Sequence, residues 1–199
     1  MSNSKQVEKN WEDRYQSKVT KWDRGGTSPN LTNWLDSGNL KPCRIMVPGC
    51  GNGYEVITLA EQGFDVVSID IAATPVSNLR KALYERGLTA EVIQSDFFSL
   101  DFSSQPFDAI YEQTCLCALQ PKQWSDFEEW MYQSLKVDGV LYTLFMQTGE
   151  EGGPPFHCDM VKMKQLFSDK RWTWEQENTG QKMNSLTNKM EIPCVLRKV

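Results

Sequence analysis

Histidine is nearly absent: His157 is the only one in 199 residues. No Cys-x-x-Cys pair accompanies it, so the closely spaced Cys and His ligands of a structural zinc site are missing and no metal is expected. The six cysteines (Cys43, Cys50, Cys115, Cys117, Cys158, Cys194) are scattered along a chain too long to need covalent staples, and they read as thiols of a reducing compartment. Long apolar runs are missing too. The longest stretches without a charge, such as Gly139 to Gly149, fall far short of the roughly 20 residues a membrane span requires. The start, Met1-Ser2-Asn3-Ser4-Lys5-Gln6, leads into polar residues rather than an apolar segment with a cleavage site, so a cytoplasmic location is expected. Positive charge is not in surplus. Lys and Arg number 21 against 26 Asp and Glu, a net charge of −5, and no basic run exceeds Arg80-Lys81 or Arg197-Lys198. A general nucleic-acid binder needs a basic face to displace counterions from phosphates, and this chain is not read as one. No repeat or low-complexity tract is present.

What is present fits one domain spanning residues 1–199, at roughly 150 residues per domain. Apolar residues make up 40% and charged ones 24%. Short β-rich runs (Arg44 to Val47, Asp65 to Asp70, Glu91 to Ser95, Phe107 to Tyr111, Val140 to Met146) alternate with stretches of helical spacing (Tyr54 to Gln62, Val76 to Arg86, Trp124 to Leu135). These helices end near Gly63, Gly87 and Asp138-Gly139. That is the βαβ rhythm of a parallel sheet. The rhythm breaks at the C-terminal end, where a helix around Met160 to Phe167 precedes two β-rich runs, Thr173 to Glu177 and Glu191 to Leu196. The short link between them predicts a closing antiparallel hairpin.

Two segments stand outside this core. Val7, Trp11, Tyr15 and Val19 recur every four residues and predict one stripe of an N-terminal helix, followed by the irregular run Trp22 to Pro29. The second is the Gly/Pro loop at 148–158, directly after the fifth strand. Ligands of open parallel sheets bind at strand carboxyl ends, which makes this loop a candidate wall or lid.

The most informative stretch is Val47-Pro48-Gly49-Cys50-Gly51-Asn52-Gly53-Tyr54-Glu55, between a strand and a helix. Glycines there allow a sharp turn and close approach to a ligand, and unpaired helix N–H groups are expected to offer donors. The spacing is G-x-G-x-G rather than the dinucleotide fingerprint G-x-G-x-x-G, which favours a nucleoside ligand without pyrophosphate. Alternatively, the turn serves only strand–helix packing. Asp70 closes the second strand 21 residues after Gly49, where ribose hydroxyls are gripped in nucleotide-binding units. Asp96 closes the third, placed to meet an adenine amino group with Phe97 flanking the ring. Either acid could instead cap the helix that follows. Together these features predict an adenosine-bearing cofactor. The chain ends in a hairpin rather than a second nucleotide-binding half, so S-adenosylmethionine fits better than a dinucleotide. Its sulfonium cation suits aromatic faces, and Trp11, Tyr15, Trp22 and Trp34 crowd the N-terminal segment, either for that purpose or as a stripe covering the core.

At these residues the chain resembles the class I S-adenosylmethionine-dependent methyltransferases, and more narrowly the thiopurine S-methyltransferase family. The narrower likeness rests on Trp11-Glu12-Asp13-Arg14-Tyr15 with Trp22-Asp23, on Val47-Pro48-Gly49-Cys50-Gly51, and on Gly152-Gly153-Pro154-Pro155-Phe156. Within the family it is most similar to the thiol and halide methyltransferases. The resemblance implies an α/β fold with a Rossmann-like, seven-stranded, mostly parallel sheet, helices on both faces and an antiparallel last strand. It implies an N-terminal segment, residues 1–36, that covers the cofactor. The implied cofactor contacts are Trp11, Tyr15, Trp22, Gly49, Gly51, Asp70, Ile71, Asp96, Phe97 and Gln113. Three positions depart from the family pattern: Tyr15 stands where plant members often have Trp, Gln113 where Tyr or Arg is found, and Phe156 where a Tyr follows Gly-Gly-Pro-Pro.

Methyl transfer from a sulfonium is an in-line displacement in which the protein aligns, desolvates and excludes water. A soft anion needs no proton removed, so the absence of an evident base points to a small soft nucleophile: a thiol, bisulfide, thiocyanate or halide. A thiopurine or aromatic thiol acceptor is the alternative, as is a non-catalytic S-adenosylmethionine-binding module. The run after the fourth strand, Glu112 to Cys117, lacks the Asn/Asp-Pro-Pro-Tyr of enzymes that methylate base amino groups. Substrate-side candidates are Cys115, Phe156 and His157. Cys115 and Cys117 read equally as buried small hydrophobes, and His157 as an exposed loop residue or a base. The expected partner is a small molecule or anion, with no nucleic acid, membrane or obligate protein partner.

Overall fold

A computed structural model describes residues 2–177, 183–184 and 189–199. The chain packs as two compact units, residues 1–100 and residues 101–199.

In residues 1–100, three strands run parallel in the order β3-β2-β1: β1 is Arg44–Pro48, β2 Asp65–Asp70 and β3 Glu91–Gln94. Met46 pairs with Val67, and Ser68 with Val92. Ile45, Met46, Val66, Val67 and Ile69 are almost fully buried, as expected of short apolar runs covered on both faces. Helix α1 spans Ser2–Gln16, α2 Pro29–Asp36, α3 Tyr54–Glu61 and α4 Ala73–Arg86. Helix α4 stops at Gly87, whose left-handed φ of 64° lets its N–H reach back to the last turn.

Residues 101–199 hold β4 (Phe107–Gln113), β5 (Leu135–Gln147), β6 (Trp172–Glu177), the two-residue β7 (Met183–Asn184) and β8 (Met190–Lys198), with helices α5 (Trp124–Ser134) and α6 (Met160–Leu166). Strand order is β4-β5-β8-β6, with β7 also on β8. Strands β4 and β5 are parallel, whereas β8 runs antiparallel to both β5 and β6. The expected C-terminal hairpin is therefore present, with the last strand inserted between its neighbours. Apart from β7, seven strands build a mostly parallel sheet surrounded by helices, the Rossmann-like α/β class read from the sequence. Phe107, Phe127, Met131, Phe145, Phe167 and Trp172 form the buried core of this unit.

Several local expectations are corrected. Helix α2 was not foreseen: the Ser28 hydroxyl accepts the Asn30 N–H, Pro29 occupies the first turn, and Leu31 and Trp34 bury its inner side. Trp34 is thus a core residue. The N-terminal stripe is shorter than read, because α1 ends at Gln16 and Val7 and Val19 are exposed. Helix α5 gives way directly to β5 at Leu135, five residues before the expected strand start at Val140. Asp138, at φ 62°, sits inside the strand as an irregularity rather than ending the helix, and the register of β4 on β5 shifts between Phe107 and Ala109.

Candidate functional site

Strand β1 delivers the glycine turn, and its backbone needs glycine: φ is 60° at Gly49, 52° at Gly51 and 73° at Gly53. A Cβ on Gly51 would lie 2.8 Å from the Tyr15 hydroxyl, and one on Gly53 would collide with Leu79. Three N–H groups of this turn are engaged within the protein. Cys50 N–H bonds to Ile69 O at 3.0 Å and Gly53 N–H to Cys50 O at 2.9 Å, while Gly51 N–H bonds to Asp70 Oδ2 at 2.8 Å. Asp70 Oδ1 accepts from Ala72 N–H at 2.9 Å, at the entry of α4. The carboxylate therefore ties the turn to the helix start. Burial raises its pKa, and the N–H groups of Ala72, Gly51 and Ile71 work in the opposite direction. A carboxylate has about four lone-pair sites, so Asp70 retains capacity for a further donor.

The N-terminal segment closes over this turn. Glu12 accepts the N–H and hydroxyl of Thr74, placing a negative charge at the start of α4. Trp22 meets Trp11 edge-on at 5.3 Å and Tyr15 at 5.7 Å, and its indole N–H points to the Tyr15 oxygen at 3.4 Å. Burial raises the Tyr15 pKa, with the Asp70 charge adding to the effect. Asn52 reaches Asp23 at 2.6 Å, and Ser28 N–H reaches Glu55 at 2.9 Å. Asp96 caps the 3₁₀ turn Phe97–Ser99 through the Phe98 N–H and also accepts from the Ser4 hydroxyl at 2.9 Å. Asp96 thus carries the capping role that the sequence left open, whereas the N-cap of α4 is Ala72 and at that helix start Asp70 holds only that residue's N–H. Trp11, Tyr15, Trp22, Gly49, Gly51, Asp70, Ile71, Asp96 and Phe97 all fall within residues 1–100. The donor set suits an adenosine without a pyrophosphate: acids with spare lone pairs, and the N–H groups of Cys50, Gly51 and Gly53 already engaged, which a pyrophosphate would need free.

Residues 101–199 carry the remaining candidates. Gln113, at the end of β4, accepts from the Tyr111 hydroxyl at 2.8 Å. Glu112 beside it is 1% exposed. Its Oε1 accepts the N–H groups of Cys115 and Leu116 at 3.1 and 2.9 Å, and its Oε2 the Thr143 hydroxyl. Burial raises its pKa. Cys115 and Cys117 are buried, and burial pushes the Cys117 and Cys158 thiols up. In the 148–158 loop, Phe156 N–H bonds to Cys117 O at 2.7 Å and Cys158 N–H to Met146 O at 2.8 Å. The Phe156 ring folds back over Gly153, where a Cβ would lie 2.6 Å from it. His157 Nδ1 accepts from Gly149 N–H at 3.3 Å, so in the neutral ring the hydrogen sits on Nε2. Sequence reasoning missed Glu112, Glu12, Arg14 and Ser4 as individuals. Only the position of Glu112 near a strand end signalled it. Among the described residues, no group of three His, Cys, Asp or Glu is placed to hold a metal ion.

The fold and the glycine turn define a class I S-adenosylmethionine-dependent methyltransferase. Magnesium protoporphyrin IX methyltransferase from Synechocystis PCC 6803, solved with bound SAH, matches with a TM-score of 0.77 at 12% identity, covering 99% of this chain and 100% of that one; at that identity it shows the fold. A sequence profile of the thiopurine S-methyltransferase family matches residues 6–195, and the chain belongs to that family, which uses S-adenosylmethionine. Thiocyanate methyltransferase 1 of Brassica oleracea is 34% identical over 151 residues, 73% of this chain and 66% of the relative. Probable thiol methyltransferase 2 of Arabidopsis thaliana is 30% identical over 160 residues, 79% of this chain and 70% of the relative. The match thus spans about two thirds of the length of these plant relatives.

Proposed function

We propose that this chain transfers the methyl group of S-adenosylmethionine to a small soft nucleophile: a thiol, bisulfide, thiocyanate or halide. The observation that carries this reading is the state of the possible bases. Glu112 is buried with both oxygens bonded, His157 Nδ1 is engaged by Gly149, and burial holds the Cys117 and Cys158 thiols in the protonated form. None is poised to take a proton, which suits an acceptor that arrives as an anion. The names of the plant relatives point the same way.

Residues 1–36 act as the cofactor cover and residues 148–158 as the active-site loop of one methyltransferase domain. The cofactor supplies an electrophilic methyl on a sulfonium. Asp70 and Asp96 orient the adenosine through its ribose and amino groups, with Gly49, Gly51 and Ile71 beside the former and Phe97 beside the latter. Trp11, Tyr15 and Trp22 pack together over the cofactor side of the turn and exclude water from it. Gln113 completes the cofactor set. On the acceptor side, Cys115, Phe156 and the Nε2–H of His157 are the groups in play, the last as a donor to an anion rather than as a base. The protein is assigned to the cytoplasm, without a nucleic-acid, membrane or obligate protein partner; among the described residues no helix is long and apolar enough to cross a membrane.

A panel of sulfide, methanethiol, thiocyanate, iodide and an aromatic thiol, followed by release of S-adenosylhomocysteine, tests the assignment. Turnover with the small anions and little with the aromatic thiol is expected. The reverse order would move the protein to aromatic thiols, and cofactor binding with no turnover on any acceptor would make it a binding module.

A further inference from the structure

Arg14 stands out among the side chains of the N-terminal cover. Its guanidinium carbon lies 5.0 Å from the Trp11 ring centroid and 5.9 Å from that of Trp22. The residue is half-buried, and among the described residues no carboxylate pairs with it. Neighbouring acids are committed elsewhere: Glu12 to Thr74 and Gln16, Asp23 to Asn52 and Gly25. A guanidinium is always charged, and its planar fork of donors matches a carboxylate with two parallel bonds. The two indoles hold its carbon while leaving those donors unassigned. The next residue, Tyr15, approaches the glycine turn at Gly51 and takes the Trp22 indole N–H, so Arg14 belongs to the same covering cluster.

The N–H groups of Cys50, Gly51 and Gly53 already have acceptors, so these three do not serve an anion. A ligand with an amino-acid tail nonetheless brings a carboxylate to this side of the fold. With Arg14 lying over Trp11 and Trp22, that aromatic cluster already carries a positive charge and disfavours a second cation at the same place. The sulfonium must lie apart from it, and the three carbons of the methionine chain provide the separation.

We propose that Arg14 receives the α-carboxylate of S-adenosylmethionine, held ready by Trp11 and Trp22. This deepens the cofactor reading above and rests on it. Arg14 reads the amino-acid tail while Asp70 and Asp96 read the adenosine.

The test is calorimetric binding of S-adenosylhomocysteine and of its decarboxylated analogue, which keeps the adenosine, the thioether and the amine. Wild-type protein should prefer the carboxylate-bearing ligand by about tenfold or more, the value of one charge-assisted pair. In Arg14→Gln that preference should disappear through weaker S-adenosylhomocysteine binding, with the analogue unaffected. Arg14→Lys should retain part of it. Equal affinity of wild-type protein for the two ligands would overturn the proposal without any variant. So would loss of both ligands in parallel in Arg14→Gln, which would mark Arg14 as packing for the indoles. Failure of wild-type protein to bind either ligand would instead sink the cofactor site, and this inference with it.

Discussion

Asp70 and Glu112 make a natural pair for comparison, one in each compact unit and both at the carboxyl end of a parallel strand. Each is buried, each has its pKa raised by that burial, and each accepts backbone N–H groups, Glu112 from the turn that follows it and Asp70 from Ala72 just after it and from Gly51 in the turn after β1. They differ in what remains. Asp70 accepts the N–H groups of Gly51 and Ala72 at 2.8 and 2.9 Å and stands beside the glycine turn and Tyr15, with acceptor capacity left for a ligand. Glu112 adds the Thr143 hydroxyl and is 1% exposed, which leaves no surface to offer. A strand-end acid is therefore scaffold first, and becomes a binding group only where its remaining lone pairs face open space.

The largest effect should come from Glu112→Ala. Two backbone N–H groups and one hydroxyl would lose their acceptor inside the protein, and each unsatisfied group costs about 1–3 kcal/mol. A loss of about 3–5 kcal/mol in urea unfolding is expected, with turnover falling only as far as the folded fraction does. A stable variant without turnover would instead place Glu112 in the chemistry. Asp70→Ala follows, with about 2–4 kcal/mol of stability at stake for its two N–H partners. It should also weaken S-adenosylhomocysteine binding by about 1–3 kcal/mol if two ribose hydroxyls are held. Lost stability with unchanged affinity would make Asp70 a second Glu112.

The pair also shows what the sequence made legible. Position along the strand identified Asp70, because a glycine turn 21 residues earlier gave it a chemical context. Glu112 sits in a run of Gln, Thr and Cys with no such context, and burial by distant segments is invisible in local spacing. The strand and helix alternation was readable because βαβ units carry periodicity within short windows. Helix α2 was missed although Ser28-Pro29 is a start signal, because the preceding Gly-rich residues read as a continuing loop. The α5–β5 junction was misplaced for the opposite reason: Asp138-Gly139 has turn chemistry, but pairing with β4 at Leu135 before it and at Val140 after it carries the strand through. The engagement of the Cys50 and Gly51 N–H groups depends on the Ile69 carbonyl and the Asp70 carboxylate, brought in by tertiary contact, so no local sequence pattern announces it.

Gly51→Ala probes the open side of the Asp70 arrangement. At φ 52° an L-residue is strained by about 1–2 kcal/mol, and the new Cβ would lie 2.8 Å from the Tyr15 hydroxyl. Weaker S-adenosylhomocysteine binding and a small loss of stability are expected. Tyr15→Phe removes the crowded oxygen, so adding it to Gly51→Ala should recover part of the loss. Strict additivity of the two changes would show that the cover does not press on the turn.

The smallest effect lies in the pH dependence of stability, and its sign separates burial from hydrogen bonding. Because the folded-state pKa of Glu112 is raised above its ordinary value of 4.5, folding favours its protonated form. Its contribution is fully present below the unfolded-state pKa and is lost as pH rises through the folded-state value. Asp70 has the same sign, from its ordinary value of 3.8 upward. Glu112→Gln keeps an acceptor for Cys115 and Leu116 and offers its amide N–H to Thr143, but it cannot titrate. Its stability relative to wild type should therefore improve as pH is raised across that window, and the wild-type profile should be the steeper of the two. An opposite trend would mean that the charged carboxylate is the form the Cys115 and Leu116 N–H groups stabilise, with hydrogen bonding outweighing desolvation at this buried strand end.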